Sequence, residues 1–154
     1  MRVAVGSDHA GYEGDSPYKP AIMAHIEGLG HTVVDCGTNG PASVDYPDFA
    51  QCVCDTVLGG QAETGVLVCG TGIGMSIAAN RRKGIRAALC YDIRTVINSR
   101  EHNNANVLSL GGPLHDAGQL CDMAKTWLET RFGGGRHLAR VNKIMAIERG
   151  GFSN

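Results

Sequence analysis

Short apolar runs alternate with amphipathic stretches along this chain. The runs are Arg2–Gly6, His31–Cys36, Gly65–Cys69, Ile85–Tyr91 and Asn106–Leu110. Runs of this length without polar alternation predict strands buried on both faces of a parallel sheet. Between them the spacing turns helical over Pro17–Leu29, Asp48–Leu58, Ile73–Arg82, Asp92–Glu101, Asp116–Arg131 and Arg136–Glu148. Phe49, Val53 and Val57 share one helical face, as do Ile93, Val96 and Ile97. Ser16 is placed to cap the first helix, with Pro17 and Pro20 in its opening turn and Gly28 and Gly30 closing it. Asp92 caps the fourth, and Gly133-Gly-Gly135 breaks the chain before the last. Gly37–Pro47, rich in Gly, Pro, Asn and Ser, reads as a loop. Strand–helix alternation of this kind predicts a three-layer α/β/α sandwich, Rossmann-like, around a five-stranded parallel sheet. Residues 1–132 form its body and 133–154 a C-terminal helical arm of the same domain.

In such sheets ligands bind beyond the carboxyl ends of the strands. That edge collects Asp8 and His9 after the first strand, Asp45 and Tyr46 after the second, and Cys69 to Gly74 after the third. The stretch Val66–Asn80 reads as a buried strand, a glycine turn and a helix start. Gly70, Gly72 and Gly74 let backbone amides approach a ligand closely. The helix start adds unpaired N–H groups and a partial positive charge. A thiol therefore sits beside an anion cradle. Taken singly, each feature has a plainer explanation: Asp8-His9 as a turn or cap, Tyr46-Pro47 as loop packing, the glycine turn as a phosphate loop. Their convergence at one edge points to an active site.

His102-Asn103-Asn104, and Arg136, His137 and Arg140, follow or begin helices that have run back to the amino edge. Locally, His102 suits a helix C-terminus as a cation, and the arm reads as a solvated basic face. To join Cys69 these groups must come from a second subunit. The glycine-hinged last helix would then be exchanged across a two-fold axis, creating two shared sites.

Composition narrows the class. The 154 residues carry a net charge of −1, so nothing in the charge balance suggests nucleic acid or an anionic membrane as partner, and neither is expected. No apolar run approaches a membrane span, and the chain enters a strand at once without a signal-like segment. The expectation is a cytoplasmic protein whose six cysteines are reduced. Cys52-x-Cys54 lacks the second pair a zinc site needs, so no metal and no cofactor are expected. Gly70-x-Gly72 followed by Asp92 imitates a dinucleotide fingerprint, but Met75 stands at the third glycine and the loop follows the third strand.

The pieces Gly6-Ser-Asp-His-Ala-Gly11, Asp45-Tyr-Pro47, Cys69-Gly-Thr-Gly-Ile-Gly74, Ile77-Ala-Ala-Asn80, Gly84-Ile-Arg-Ala87, Arg100-Glu-His-Asn-Asn104 and Gly135-Arg-His137 with Arg140 resemble, in order and over nearly the whole chain, the ribose-5-phosphate isomerase B family, which also contains the galactose-6-phosphate isomerase subunits. The resemblance implies a metal-free aldose–ketose isomerase working through a cis-enediolate, as a homodimer with shared sites, with pairing into tetramers open. It implies Cys69 as the base, assisted by Thr71, with amides from Gly70 through Gly72 and Gly74 to Ser76 holding the enediolate oxygen. It assigns ring opening to His102 and Asp8, sugar positioning to Tyr46 and Asn103, and the phosphate to His9, Arg136 and Arg140. In another branch of the family a glutamate is the base; Met75 occupies that region here.

These roles suit the residue types. A helix N-terminus favours thiolate, an arginine fork matches phosphate oxygens, and imidazole moves protons near neutral pH. Two departures bear on the substrate. Pro113 stands where many relatives carry a phosphate-binding arginine, and Glu13–Pro20 replaces the usual leucine-lysine approach to the first helix. Ribose 5-phosphate is the leading substrate. Allose 6-phosphate, galactose 6-phosphate, another pentose or hexose, and a non-catalytic sugar-phosphate-binding subunit are the alternatives.

Overall fold

The computed structural model describes residues 1–151. Its five strands are β1 (Arg2–Ser7), β2 (Thr32–Asp35), β3 (Thr64–Cys69), β4 (Ala87–Leu89) and β5 (Val107–Gly111). All pair in parallel, in the order β2-β1-β3-β5-β4. The helices are α1 (Tyr18–Gly28), α2 (Tyr46–Leu58), α3 (Ile73–Ala79), α4 (Ile93–Glu101), α5 (Ala117–Glu129) and α6 (Arg136–Ile147), with short 3-10 turns at His9–Tyr12 and Gly112–Leu114. The α/β/α sandwich expected from the alternating pattern is the fold observed.

Alternate strand residues feed two cores. Val3, Val5, Val66, Val68, Leu108 and Leu110 pack with Ile22, Ile26, Leu120, Met123 and Trp127 of α1 and α5. Ala4, Leu67, Cys69 and Val107 pack with Ala50, Val53, Met75 and Ala79 of α2 and α3. Cys69 thus belongs to the α2/α3 face, at the last residue of the central strand. No helix of the described residues is long and apolar enough to cross a membrane.

Three boundaries differ from expectation. Ser16 does not cap α1: the N-cap position is Pro17, which makes no side-chain cap bond. The helix begins on proline's preset φ instead. The Gly37–Pro47 loop is shorter than its composition predicts, because α2 starts at Tyr46 with Pro47 in its first turn. Proline lacks an N–H that this turn would leave unbonded anyway. The fourth strand spans Ala87–Leu89 only, since Arg86 spends its amide on the Asn106 side chain. Asn80 then receives the Ala87 amide and donates to the Ala87 carbonyl, both at 2.9 Å, blunting this sheet edge. By contrast, Asp92 and Asp116 each form a full capping box at α4 and α5.

The helical arm returns to its own chain. Glu148 accepts from the Gly84 amide, Arg86 donates to Met145 Sδ and Val141 is buried. Leu138, Ile144 and Ile147 on the same helix stay exposed. The last residues of the arm, 152–154, lie outside the described residues.

Candidate active site

β1 leads to β2 on one side and lies beside β3 on the other, so the crevice between the β1 and β3 ends is a switch point of the sheet. Asp8 stands there, its amide bonded to the Val68 carbonyl at 3.3 Å. Its carboxylate caps the 3-10 turn through the Ala10 amide at 2.9 Å. Burial pushes its pKa above the usual carboxylate value, outweighing that bond. His9 next to it accepts from the Val44 amide through Nδ1 at 3.3 Å, which ties it to the loop before α2.

The neighbouring strand end delivers the thiol. Cys69 is 4% exposed, and its Sγ accepts the Gly72 amide at 3.1 Å. Gly72 has φ +76°, and a Cβ there would stand 2.6 Å from Leu89 and 2.9 Å from the Leu110 backbone, so only glycine fits. Its carbonyl accepts from Ser109 Oγ at 2.7 Å. Thr71 Oγ1 accepts the Ile73 amide at 3.3 Å. Ser76 spends its amide on the Gly72 carbonyl and its hydroxyl on the Ile73 carbonyl. Gly74 is sheltered by Tyr46: a Cβ at Gly74 would lie 2.6 Å from Tyr46 Cζ. Asp45 precedes it as the N-cap residue of α2 without a side-chain cap bond. The structure therefore brings Asp8, His9, Tyr46, Cys69, Thr71, Gly70, Gly72 and Gly74 to one edge.

The remaining candidates gather at the opposite end. His102 is the C-cap of α4, and its ring stacks on His137 with centroids 4.3 Å apart and planes 10° from parallel. Lost water contact, then the neighbouring His102, Arg136 and Arg140, lower the His137 pKa. Arg136 and Arg140 are exposed and one turn apart on α6, a spacing that puts both on one helix face. Asn103 lines a cavity of about 420 Å³ with Arg86, Ile144 and Glu148, between β4 and α6. Within one chain this group and Cys69 are at opposite edges of the sheet.

Several supporting residues are not apparent from the sequence. Lys19, fully buried, pairs with Asp35 and donates to Thr38 O at 2.8 Å and Asn39 Oδ1 at 3.0 Å, pinning the loop after β2. Ser109 and Tyr91 hold the glycine turn, Tyr91 Oη donating to the Thr71 carbonyl at 3.1 Å. Periodicity does place Lys19 on the buried face of α1 with Ile22 and Ile26. The other cysteines are free thiols, and burial raises Cys36 and Cys54 to about 11. No group of His, Cys, Asp and Glu able to hold a metal occurs among the described residues.

A turn of amides around a thiol at a sheet switch point defines a site for an anionic or enolate-like ligand beside a nucleophile or base. Comparison with known proteins specifies it. The ribose/galactose isomerase family matches residues 3–144, and the chain belongs to that family. The ribose-5-phosphate isomerase B of Escherichia coli (strain K12) is 40% identical over 148 residues, 96% of this chain and 97% of that protein. The solved ribose-5-phosphate isomerase B of Clostridium thermocellum superposes with a TM-score of 0.92 at 45% identity, covering 97% of this chain and 98% of that one. The type B enzyme of Leishmania infantum gives a TM-score of 0.89 at 48% identity, covering 96% of each chain.

Proposed function

We propose that this chain interconverts ribose 5-phosphate and ribulose 5-phosphate through a cis-enediolate, with Cys69 as the base. The observation that carries the reading is the Gly72 amide aimed at the Cys69 sulfur at the end of the central strand. A carbon acid is weak, so the base must be placed accurately and the developing oxyanion must meet donors already in position. The thiolate takes the C-2 proton of the open-chain aldose. The C–H electron pair becomes the C-1/C-2 double bond, and the carbonyl oxygen becomes the oxyanion. A proton then passes from the C-2 hydroxyl to O-1, and return of the first proton to C-1 yields the ketose. The oxyanion falls to the amides of Gly70 and Gly74, with Thr71 beside the thiol. The Gly72, Ile73 and Ser76 amides of the expected cradle are spent on Cys69 Sγ, Thr71 Oγ1 and the Gly72 carbonyl.

Ring opening falls to Asp8 and His102, sugar positioning to Tyr46 and Asn103, and the phosphate to His9, Arg136 and Arg140. His102, Asn103 and the arginines lie at the amino edge, so they serve the Cys69 of a second copy. The exposed Leu138, Ile144 and Ile147 of α6 and Ile73 and Ile77 of α3 favour such a homodimer. The free thiols fit a reducing, cytoplasmic setting, and the chemistry uses no metal or cofactor. Pro113, exposed after β5, keeps allose 6-phosphate and galactose 6-phosphate as competing substrates. Turnover of these sugar phosphates and the free sugars tests the assignment: the highest kcat/KM is expected for ribose 5-phosphate, and a strong preference for a hexose phosphate would reassign the substrate.

A further inference from the structure

We propose that Tyr91 is a positioning residue for the Cys69 thiol, acting through the single peptide group that joins Thr71 to Gly72. The inference rests on the isomerase reading and adds a residue to it. One end of that peptide, the Thr71 carbonyl, accepts the Tyr91 hydroxyl at 3.1 Å. The other end, the Gly72 N–H, donates to Cys69 Sγ at 3.1 Å. A peptide is a rigid plane, so holding its oxygen sets the direction of its N–H. A hydrogen bond at the oxygen also polarises the N–H and strengthens the bond to sulfur.

The turn needs such an external hold. Gly72 has no side chain of its own to pack, and its left-handed φ fits only while the loop keeps its shape. Ser109 fixes the following carbonyl from β5, and Tyr91 fixes the preceding one from beyond β4. β5 lies between β3 and β4, so the Tyr91 side chain must reach across the end of β5. Gly111 leaves that path open: a Cβ there would stand 2.9 Å from the Thr71 oxygen.

Tyr91 is itself anchored. Its amide donates to Thr95 Oγ1 at 3.3 Å, and its carbonyl lies 2.7 Å from His115 Nε2. The Nδ1 of the same imidazole lies 3.2 Å from the Gly111 carbonyl. The Tyr91 and His115 rings are close to parallel, 6.4 Å between centroids. The main chain of Tyr91 is thus fixed at both polar groups, and its hydroxyl ends on the catalytic turn.

The test is Tyr91→Phe in the full-length protein with ribose 5-phosphate as substrate, alongside Cys69→Ala. Losing one hydrogen bond predicts a fall in kcat of about fivefold to tenfold with KM within about twofold. In NMR spectra the Gly72 amide proton should move upfield, and His115→Ala should give a smaller change in the same direction. A kcat within twofold of wild type, a loss confined to KM, or an unmoved Gly72 amide would overturn the proposal. If Cys69→Ala turns over normally, the isomerase reading with a cysteine base fails instead. The Gly72 resonance then still decides whether Tyr91 holds the peptide.

Discussion

His102 and His137 stack ring on ring, 4.3 Å between centroids, and so tie the end of α4 to the first turn of α6. The pair makes the candidate ring-opening imidazole and the helix carrying Arg136 and Arg140 one unit. Because His137 binds its proton less readily in the folded chain than its ordinary value of 6.5, the folded state holds fewer protons than the unfolded one in that window. Docking of the arm is therefore firmest above pH 6.5, weakens as pH falls from 6.5 toward the depressed value, and weakens no further below it. Hydrogen exchange of residues 136–141, corrected for intrinsic rates, should show greater protection at pH 8 than at pH 5.5. His137→Gln should flatten the difference, and equal protection at both pH values in the wild type would contradict this account.

Gly74→Ala should push the Tyr46 ring off its seat, since the new methyl would lie 2.6 Å from Cζ. The position is in the first turn of α3 with ordinary helical backbone, where alanine is favoured by about 1 kcal/mol over glycine in a helix interior. Stability should hold while kcat/KM drops about tenfold, a cost of about 1.4 kcal/mol, chiefly through KM. An unchanged KM would remove Tyr46 from sugar positioning.

Asp8 presents the opposite balance. Its folded pKa is raised by burial, so the ionised carboxylate costs stability, increasingly as pH rises through 3.8 and fully above the folded value. Asn keeps an oxygen to accept from Ala10, as N-cap residues require. Asp8→Asn should melt higher than wild type at pH 7, with the gap closing toward pH 3. Turnover of the cyclic sugar should fall by about a hundredfold if the carboxyl serves ring opening. A lower melting temperature at pH 7 would show that the charge is stabilising after all.

The proposed sharing of sites between two copies makes a further demand. Cys69→Ala and His102→Asn protomers should each be nearly inactive alone. Mixed heterodimers should regain activity, because one hybrid site has both groups. Verified heterodimers without activity would mean that the two residues serve the same site from one chain.

The five buried runs were legible because strands covered on both faces leave no polar alternation to confuse them. The thiol, the glycines and the Asp8-His9 pair were legible because a parallel sheet puts everything after a strand at one edge. Tyr46 was misplaced into a loop because Pro47 looks like a breaker, although a first helical turn tolerates it. The short β4 was hidden because the Asn106 side chain takes the Arg86 amide that a longer strand would need. Tyr91 and Ser109 were unreadable for a different reason. Their roles depend on β5 lying between β3 and β4, and spacing along a chain carries no information about strand order.

The central claim is that Cys69 moves a proton between C-2 and C-1 of ribose 5-phosphate. Incubation of the purified protein with ribose 5-phosphate in D2O, followed by NMR, tests it most directly. The account predicts that the wild type forms ribulose 5-phosphate and places at C-1 either the former C-2 hydrogen or solvent deuterium taken up by the thiol, and that Cys69→Ala gives neither product nor exchange. Isomerisation or exchange by Cys69→Ala at the wild-type rate would contradict it.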